Sequence, residues 1–243
     1  MTVPGYLKPL VVPFEARPAE RHGALDLYLP DATGQRPAVV FVHGGPVPAD
    51  LVPTPRGWPV FQGYASIVAA RGMVGVVVDH RLHSPADYPR AADDIAEAVE
   101  VARADPRVDA DRVAIWFFSA GGLLLADWLR KRPDWLRCVA ASYPVLGCPP
   151  EYGTRFQPAE AVAHAGALPI VLTRVGKDHP QILATVEVFV SASQACGARL
   201  EIVDVPDGRH SFDIADDTDQ SRKAVERAVG LVLDHVRSPT DID

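Results

Sequence analysis

A serine stands where an apolar run of the chain gives way to small residues. Ser119 follows the apolar residues 113–118, and Ala120 and two glycines come directly after it. Small neighbours are needed on a tight strand-to-helix turn that lifts a serine hydroxyl above a sheet, where it can attack a carbonyl carbon. The usual pattern for this turn, G-x-S-x-G, has a glycine two residues before the serine, and here that residue is Phe117. The sequence therefore predicts a nucleophilic serine with one departure from the usual pattern.

Residues further along the chain could activate this serine. A serine hydroxyl is a poor nucleophile at neutral pH and needs a base within hydrogen-bonding reach. His210 follows the last predicted strand and is the candidate base. Asp178 follows the strand before it and is the candidate acid that would hold the imidazole in the correct tautomer. Asp213 is the alternative for the acid, and Asp204 is a weaker one because it falls within the last strand.

The tetrahedral intermediate of an acyl transfer needs hydrogen-bond donors for its oxyanion. The backbone N–H of Ala120, directly after the serine, is one candidate donor. The loop His43-Gly44-Gly45, which follows an early strand, supplies the other, and the N–H of Gly45 is favoured. Pro46 has no N–H, so it cannot donate a third hydrogen bond.

The elements that must position these residues alternate along the chain between short apolar runs and helical patterns. This alternation predicts an α/β fold with a mostly parallel central sheet and helices on both faces. Strands are predicted at residues 10–14, 24–29, 37–42, 73–79, 113–118, 138–143, 170–175 and 200–205. Helices are predicted at residues 60–71, 88–103, 120–131, 181–195 and 219–236. The candidate serine, aspartate and histidine would then meet at the carboxyl edge of the sheet, where open α/β sheets form their sites.

Composition and charge limit the class of protein. The 243 residues suffice for one α/β domain, which we place at 1–243 without a large cap. Hydrophobic residues make up 48% of the chain, which allows a sizeable core. The net charge of −7 argues against a nucleic-acid or anionic-membrane surface, because both require a basic face. The histidines lack metal-ligand spacing, so no metal or other cofactor is expected.

The cysteine content and the absence of targeting patterns predict a cytoplasmic protein. The chain has three cysteines, Cys138, Cys148 and Cys196. Their number is odd and no two of them form a CxxC pair, which favours reduced thiols over disulfides. Residues 1–14 lack the basic and apolar regions of a secretory signal, and no apolar run approaches the ~20 residues of a membrane span. The expected partner is a small acyl substrate, and a homodimer is left open.

Short segments spread over nearly the whole chain carry a family resemblance. They are His43-Gly44-Gly45-Pro46, Asp79-His80-Arg81-Leu82, Tyr88-Pro89, Asp93-Asp94, Asp111-Arg112-Val113, Gly176-Lys177-Asp178 and His210-Ser211-Phe212. Together with the serine turn they make the chain similar to α/β-hydrolases of the dienelactone hydrolase, prolyl oligopeptidase and hormone-sensitive-lipase-like esterase group. The loop at 43–46 resembles the prolyl oligopeptidase branch, and the segment at 79–82 resembles the D-Y-R-L pattern of the esterases.

The resemblance implies a triad of Ser119, Asp178 and His210, with Gly45 and Ala120 at the oxyanion hole. Dienelactone hydrolases proper use a cysteine nucleophile, whereas this chain has a serine. The resemblance therefore implies their fold but not a dienelactone substrate. The chain has little room for a cap or propeller, and we therefore expect a small ester or related acyl substrate rather than a long peptide.

Two other functions stay open at this point. The same residues could serve an acyltransferase or lyase of a biosynthetic pathway, and a hydrolase fold with a disabled site could bind a ligand or partner. Phe117 bears on this choice, because three outcomes are open for its ring. The ring could fit beside a smaller neighbouring segment, it could narrow the acyl pocket, or it could distort the turn enough to disable the serine. We favour an active but altered site, since the small residues after Ser119 are kept together with Asp178 and His210.

The loops at 46–61 and 144–166 are expected to shape the pocket. Its candidate substrate-binding residues are Trp58, Phe61, Phe117, Phe118, Tyr143 and Phe156. Other conspicuous side chains are predicted to be structural. His43 would pack beneath its own loop, Arg81 and Asp94 would hold neighbouring loops by ion pairing, and His235 would be solvated on the last helix.

Overall fold

The computed structural model describes residues 4–149 and 153–237. Its strands in that part of the chain are β1 (Ala19–His22), β2 (Leu25–Tyr28), β3 (Arg36–Val42), β4 (Val74–Val78), β5 (Val108–Phe118), β6 (Leu136–Ser142), β7 (Ile170–Lys177) and β8 (Leu200–Arg209). They form one sheet in the order β1-β2-β4-β3-β5-β6-β7-β8. β2 pairs antiparallel with β1 and β4, and all the other pairs are parallel. The predicted α/β-hydrolase fold with a mostly parallel sheet is confirmed.

The α-helices of the described residues cover both faces of this sheet. They are α1 (Pro59–Ala70), α2 (Tyr88–Arg103), α3 (Leu125–Lys131), α4 (Pro158–Ala161), α5 (Pro180–Ala195), α6 (Phe212–Ala215) and α7 (Asp219–Val236). None of them is long and apolar enough to cross a membrane.

Strand β5 divides the core into two halves, because successive side chains of a strand point to opposite faces. Val113, Ile115 and Phe117 join the apolar cluster that includes residues of α2, α3 and α5. Trp116 and Phe118 join the cluster on the other face, formed with α1 and α7. The face of the sheet on which a residue of β5 lies therefore decides whether its side chain can reach the site at the end of the strand.

The strand predicted at residues 10–14 is wrong. Leu10 and Val12 are buried, but the segment joins no ladder, and prolines before and within it lack the N–H that pairing needs. The N–H of Val11 instead donates to the carbonyl oxygen of Asp213 (2.8 Å). This contact fixes the N-terminal segment beside α6, the short helix that follows β8.

The helix predicted from residue 120 begins in a different form. Ser119–Leu124 is a 3₁₀ turn, and the α-helix starts only at Leu125. The tighter turn directly follows the last residue of β5, so the chain reverses from sheet to helix within a very short length.

Two glycines give a matched test of how tightly the layers pack. A Cβ on Gly75 in β4 would lie 2.6 Å from the carbonyl oxygen of Ala65 in α1, whereas a Cβ on Gly230 in α7 would meet nothing within 4 Å. Gly75→Ala should lower the free energy of unfolding by about 1–3 kcal/mol, because helix backbone must move. Gly230→Ala should raise it by up to about 1 kcal/mol, since alanine favours a helix over glycine. Urea denaturation of both variants measures the difference, and a stabilising Gly75→Ala would contradict the close packing.

Candidate active site

Ser119 lies directly after β5, where the chain turns from the sheet into the 3₁₀ turn. Its φ is +51°, a left-handed conformation that residues with a side chain rarely adopt. The carbonyl oxygen of Ser119 accepts a hydrogen bond from the N–H of Val145 (2.9 Å), which helps to hold the strained turn. This is the backbone geometry expected of a serine on a nucleophile elbow.

The small residues around the serine are required by the loop that packs against it. A Cβ on Gly44 would lie 2.8 Å from the Cβ of Ser119. A Cβ on Gly121 would lie 2.7 Å from the carbonyl oxygen of His43. The turn and the loop at residues 43–45 therefore touch at backbone distance, which leaves no room for side chains between them.

Ser119, His210 and Asp178 form a continuous chain of hydrogen bonds. The Ser119 Oγ lies 2.7 Å from His210 Nε2, and His210 Nδ1 lies 2.6 Å from Asp178 Oδ2. His210 and Asp178 directly follow β8 and β7, so the parallel order of the sheet brings them to the serine. The other oxygen of Asp178 accepts from the N–H of His179 (2.7 Å), which fixes the carboxylate. The structure thus brings together the three residues that the sequence singles out, in the order that a serine–base–acid relay needs.

The two alternative acids lie elsewhere. Asp213 is buried and accepts hydrogen bonds from the hydroxyls of Tyr64 and Tyr143 rather than from His210. Asp204 is exposed and pairs with Arg174. Neither carboxylate is hydrogen-bonded to the imidazole.

The residues predicted to bind the oxyanion border the serine. Gly44 and Gly45 line the cavity at Ser119, and a Cβ on Gly44 would come within 3.3 Å of the Ser119 Oγ. Ala120 follows the serine, and its carbonyl oxygen accepts a hydrogen bond from the hydroxyl of Tyr88 (3.0 Å). The donor roles of the Gly45 and Ala120 N–H groups stay predictions.

A cavity of about 420 Å³ opens over Ser119 and His210. Four of the predicted wall residues line it: Trp58, Phe61, Phe118 and Tyr143. Two of these belong to the loop predicted at 46–61 to shape the pocket. Among the described residues of the second predicted loop, 144–166, none lines the cavity.

The sequence did not reveal the wall formed by the N-terminal segment. Tyr6 and Lys8 line the cavity, and the ring of Tyr6 lies 4.9 Å from that of Trp58, measured between centroids. Ile214 and Ala215 of α6 complete this side. No local pattern in residues 4–8 predicts this role, because it arises only when the segment docks beside α6.

Phe117 and Phe156 do not line the cavity, so these two predictions are corrected. Phe117 is fully buried on the face of α2 and α3, where its strand neighbour on β6 is the small Ala141. Phe156 is also buried on that face, and its ring packs 5.5 Å from that of Tyr88. Of the three outcomes considered for Phe117, the ring occupies space beside a small neighbour, and the hydrogen bond from Ser119 to His210 is kept.

The adjacent phenylalanines give a matched pair of variants. Both Phe117→Ala and Phe118→Ala should lower the free energy of unfolding by about 3–5 kcal/mol, because both rings are buried. Only Phe118→Ala should change the preferred acyl chain length, since only Phe118 lines the cavity. Urea denaturation and a series of p-nitrophenyl esters of increasing length measure the two effects. An altered chain-length preference in Phe117→Ala would contradict its placement.

The residues predicted to be structural are mostly found in that role. His43 is buried and stacks on His80 with ring centroids 3.6 Å apart, and burial lowers the pKa of His80 to about 4. Arg81 and Asp94 form the predicted ion pair (2.5 Å). The prediction that His235 is solvated is wrong, because its ring is largely buried and lies 2.6 Å from Glu201 on β8.

Comparison of the sequence with family models gives two matches. The model described as the dienelactone hydrolase family matches residues 77–238, which is well over half of the chain and includes all three residues of the hydrogen-bonded relay. A second model, BD-FAE, matches residues 25–127. Among curated proteins, none matches the chain.

Several solved structures share the fold. A thermophilic esterase from Thermogutta terrifontis is similar with a TM-score of 0.70 and 20% identity, over 90% of this chain and 94% of that one. The thermostable carboxylesterase EstE1, cloned from a metagenomic library, has a TM-score of 0.72 and 19% identity, over 94% and 92%. An acylaminoacyl peptidase from Pyrococcus horikoshii has a TM-score of 0.72 and 17% identity, over 93% of this chain and 42% of that one. At these identities the likeness concerns the fold.

Proposed function

The chain belongs to the dienelactone hydrolase family, and from this premise we propose that it cleaves the ester bond of a small acyl substrate through an acyl-enzyme on Ser119. Family membership makes the chain a hydrolase. The observation that best supports the finer proposal is the relay of two short hydrogen bonds, 2.7 Å from Ser119 to His210 and 2.6 Å from His210 to Asp178.

The proposed reaction follows from the order of the three groups in this relay. His210 Nε2 accepts the proton of the Ser119 hydroxyl as its oxygen attacks the acyl carbonyl carbon, and Asp178 holds the other ring nitrogen in its protonated form. The N–H groups of Gly45 and Ala120 bind the oxyanion. The imidazolium then gives its proton to the departing alcohol, and a water molecule activated by the same imidazole releases the acid.

The cavity favours a small apolar acyl compound. Its walls are largely apolar and include the rings of Trp58, Phe61, Phe118 and Tyr143 around a volume of about 420 Å³. The similar Thermogutta terrifontis esterase has been solved with propionate bound. We infer that short acyl groups fit beside Ser119 better than long ones.

A panel of p-nitrophenyl esters and a fluorophosphonate probe test this function. Acetate and butyrate esters should be hydrolysed faster than the octanoate ester, and the probe should label Ser119, as located by peptide mass spectrometry. Ser119→Ala serves as the control that should not be labelled. If the wild type neither hydrolyses the esters nor reacts with the probe, the serine-hydrolase proposal is refuted. Labelling without ester hydrolysis would instead point to acyl transfer to another acceptor.

A further inference from the structure

A buried carboxylate lies close to the relay but outside it. Asp213 is completely buried, and its Oδ2 accepts hydrogen bonds from the hydroxyls of Tyr64 (3.0 Å) and Tyr143 (2.9 Å). Its Oδ1 is buried and has no hydrogen-bond partner among the described residues. Burial of an incompletely paired carboxylate is costly and raises the pKa of Asp213 to about 6. Such a group destabilises the fold, so its burial calls for a reason other than stability.

Tyr143 connects this carboxylate to the base. The Tyr143 and His210 rings meet edge to face, with centroids 5.1 Å apart. Tyr143 follows β6 with a φ of +38°, and its N–H donates to the carbonyl oxygen of Thr173 (2.8 Å). The ring is therefore held at its backbone by the sheet and at its hydroxyl by Asp213. A ring fixed at both ends forms a rigid support for the imidazole.

The charges around His210 are consistent with this role. During attack the imidazole becomes an imidazolium, which aromatic rings and nearby carboxylates stabilise. Asp178 contacts the imidazole from the end of β7, and Asp213 attracts its positive charge without contacting it. Tyr64 on α1 and Tyr143 after β6 face Asp213, and burial raises the pKa of both hydroxyls, which keeps them protonated as donors. Lys8 of the N-terminal segment adds a positive charge to the lining of the same cavity.

We propose that Asp213 is a positioning residue that acts through Tyr143, holding the His210 ring in line with Ser119 and supporting its protonated form. The inference rests on the proposed function, because it assigns a role to the base of that reaction. It also explains why a carboxylate that the acid role does not use is buried three residues after the histidine.

Tyr143→Phe and Tyr64→Phe form a matched pair that tests the proposal. Each variant removes one phenol hydrogen bond to the same Asp213 oxygen, but only the Tyr143 ring contacts His210. Tyr143→Phe should lower kcat about 10- to 100-fold, which is part of the roughly 10²- to 10⁴-fold that general acid–base catalysis contributes, with KM changed less than about twofold. Tyr64→Phe should lower kcat less than about threefold, although both variants lose comparable stability.

Asp213→Asn adds a readout that a merely structural role would not change. Burial raises the pKa of Asp213 to about 6, so Asp213 loses its charge as the pH falls through this value. The acid limb of the kcat/KM profile should therefore be less steep in Asp213→Asn than in the wild type. If the Asp213→Asn protein does not fold, Tyr143→Phe carries the test alone. The rate of fluorophosphonate labelling of Ser119 is measured in parallel, because it reports activation of the serine even if the true substrate is not an ester.

The outcomes separate the two proposals. Slower labelling in Tyr143→Phe but not in Tyr64→Phe supports the positioning role, whether or not p-nitrophenyl esters are turned over. Equal labelling rates in the two tyrosine variants, or an unchanged pH profile in a folded Asp213→Asn protein, would overturn it. Absence of fluorophosphonate labelling in the wild type would refute the proposed function itself.

Discussion

Ser119→Ala should lower kcat by roughly 10⁴- to 10⁶-fold while KM stays nearly constant, because the variant loses the atom that attacks the substrate but keeps the cavity. The side chain that remains is smaller, so the strained turn and the packing of Gly44 against it are preserved. The measurement is the rate of hydrolysis of a short p-nitrophenyl ester, together with thermal unfolding to show that the fold is intact.

Ser142→Ala is the matched control for this loss of a hydroxyl. Ser142 ends β6, the neighbouring strand, and its Oγ accepts a hydrogen bond from the indole N–H of Trp116 (2.9 Å). Its removal leaves that buried N–H unpaired and should cost about 1–3 kcal/mol of stability, with kcat changed only a few fold. If Ser119→Ala kept more than a hundredth of the wild-type kcat, the nucleophile would have to be another group.

Asp178→Asn should lower kcat by roughly 10⁴-fold with little change in stability or KM. The asparagine amide can donate a hydrogen bond to His210 Nδ1, which favours the tautomer with its proton on Nε2. That nitrogen could then no longer accept the proton of Ser119, although the distances stay nearly the same. The single-turnover rate of acylation measures the effect directly.

Asp204→Asn provides the control for removing a carboxylate from β8, the strand that pairs with β7. Asp204 lies on β8 and pairs with Arg174 at the surface, where an ion pair contributes about 0–1 kcal/mol. Its kcat should equal that of the wild type. A near-normal rate in Asp178→Asn would instead transfer the acid role to Asp213.

Much of the fold could be predicted because its signals are local. The helices Tyr88–Arg103 and Asp219–Val236 have the bounds predicted from their sequence, since each carries a clear apolar stripe. The buried strands are short apolar runs in the sequence, which makes them recognisable without knowledge of their neighbours. Residues 10–14 have a similar apolar character, but whether such a segment joins a ladder depends on partners that the local pattern does not contain.

The candidate site was predictable to the extent that its residues directly follow strands. Ser119, Asp178 and His210 could be grouped because parallel strands end at one edge. The pocket walls depend on tertiary packing, which explains why Tyr6 was missed. Phe117 was misplaced for a different reason: alternation shows that it and Phe118 face opposite ways, but not which of the two faces the cavity.

The division of β5 into two faces has a consequence for how this enzyme could be redesigned. Phe118 and Phe117 are consecutive in the chain, yet one borders the cavity and the other fills the opposite half of the core. Libraries that vary Phe118 together with Phe61 can explore new substrate ranges, while substitutions around Phe117 and Ala141 on the other side can be chosen to restore lost thermostability. Substrate selectivity and thermostability can thus be improved in separate rounds of mutagenesis, although the positions that control them are neighbours in the sequence.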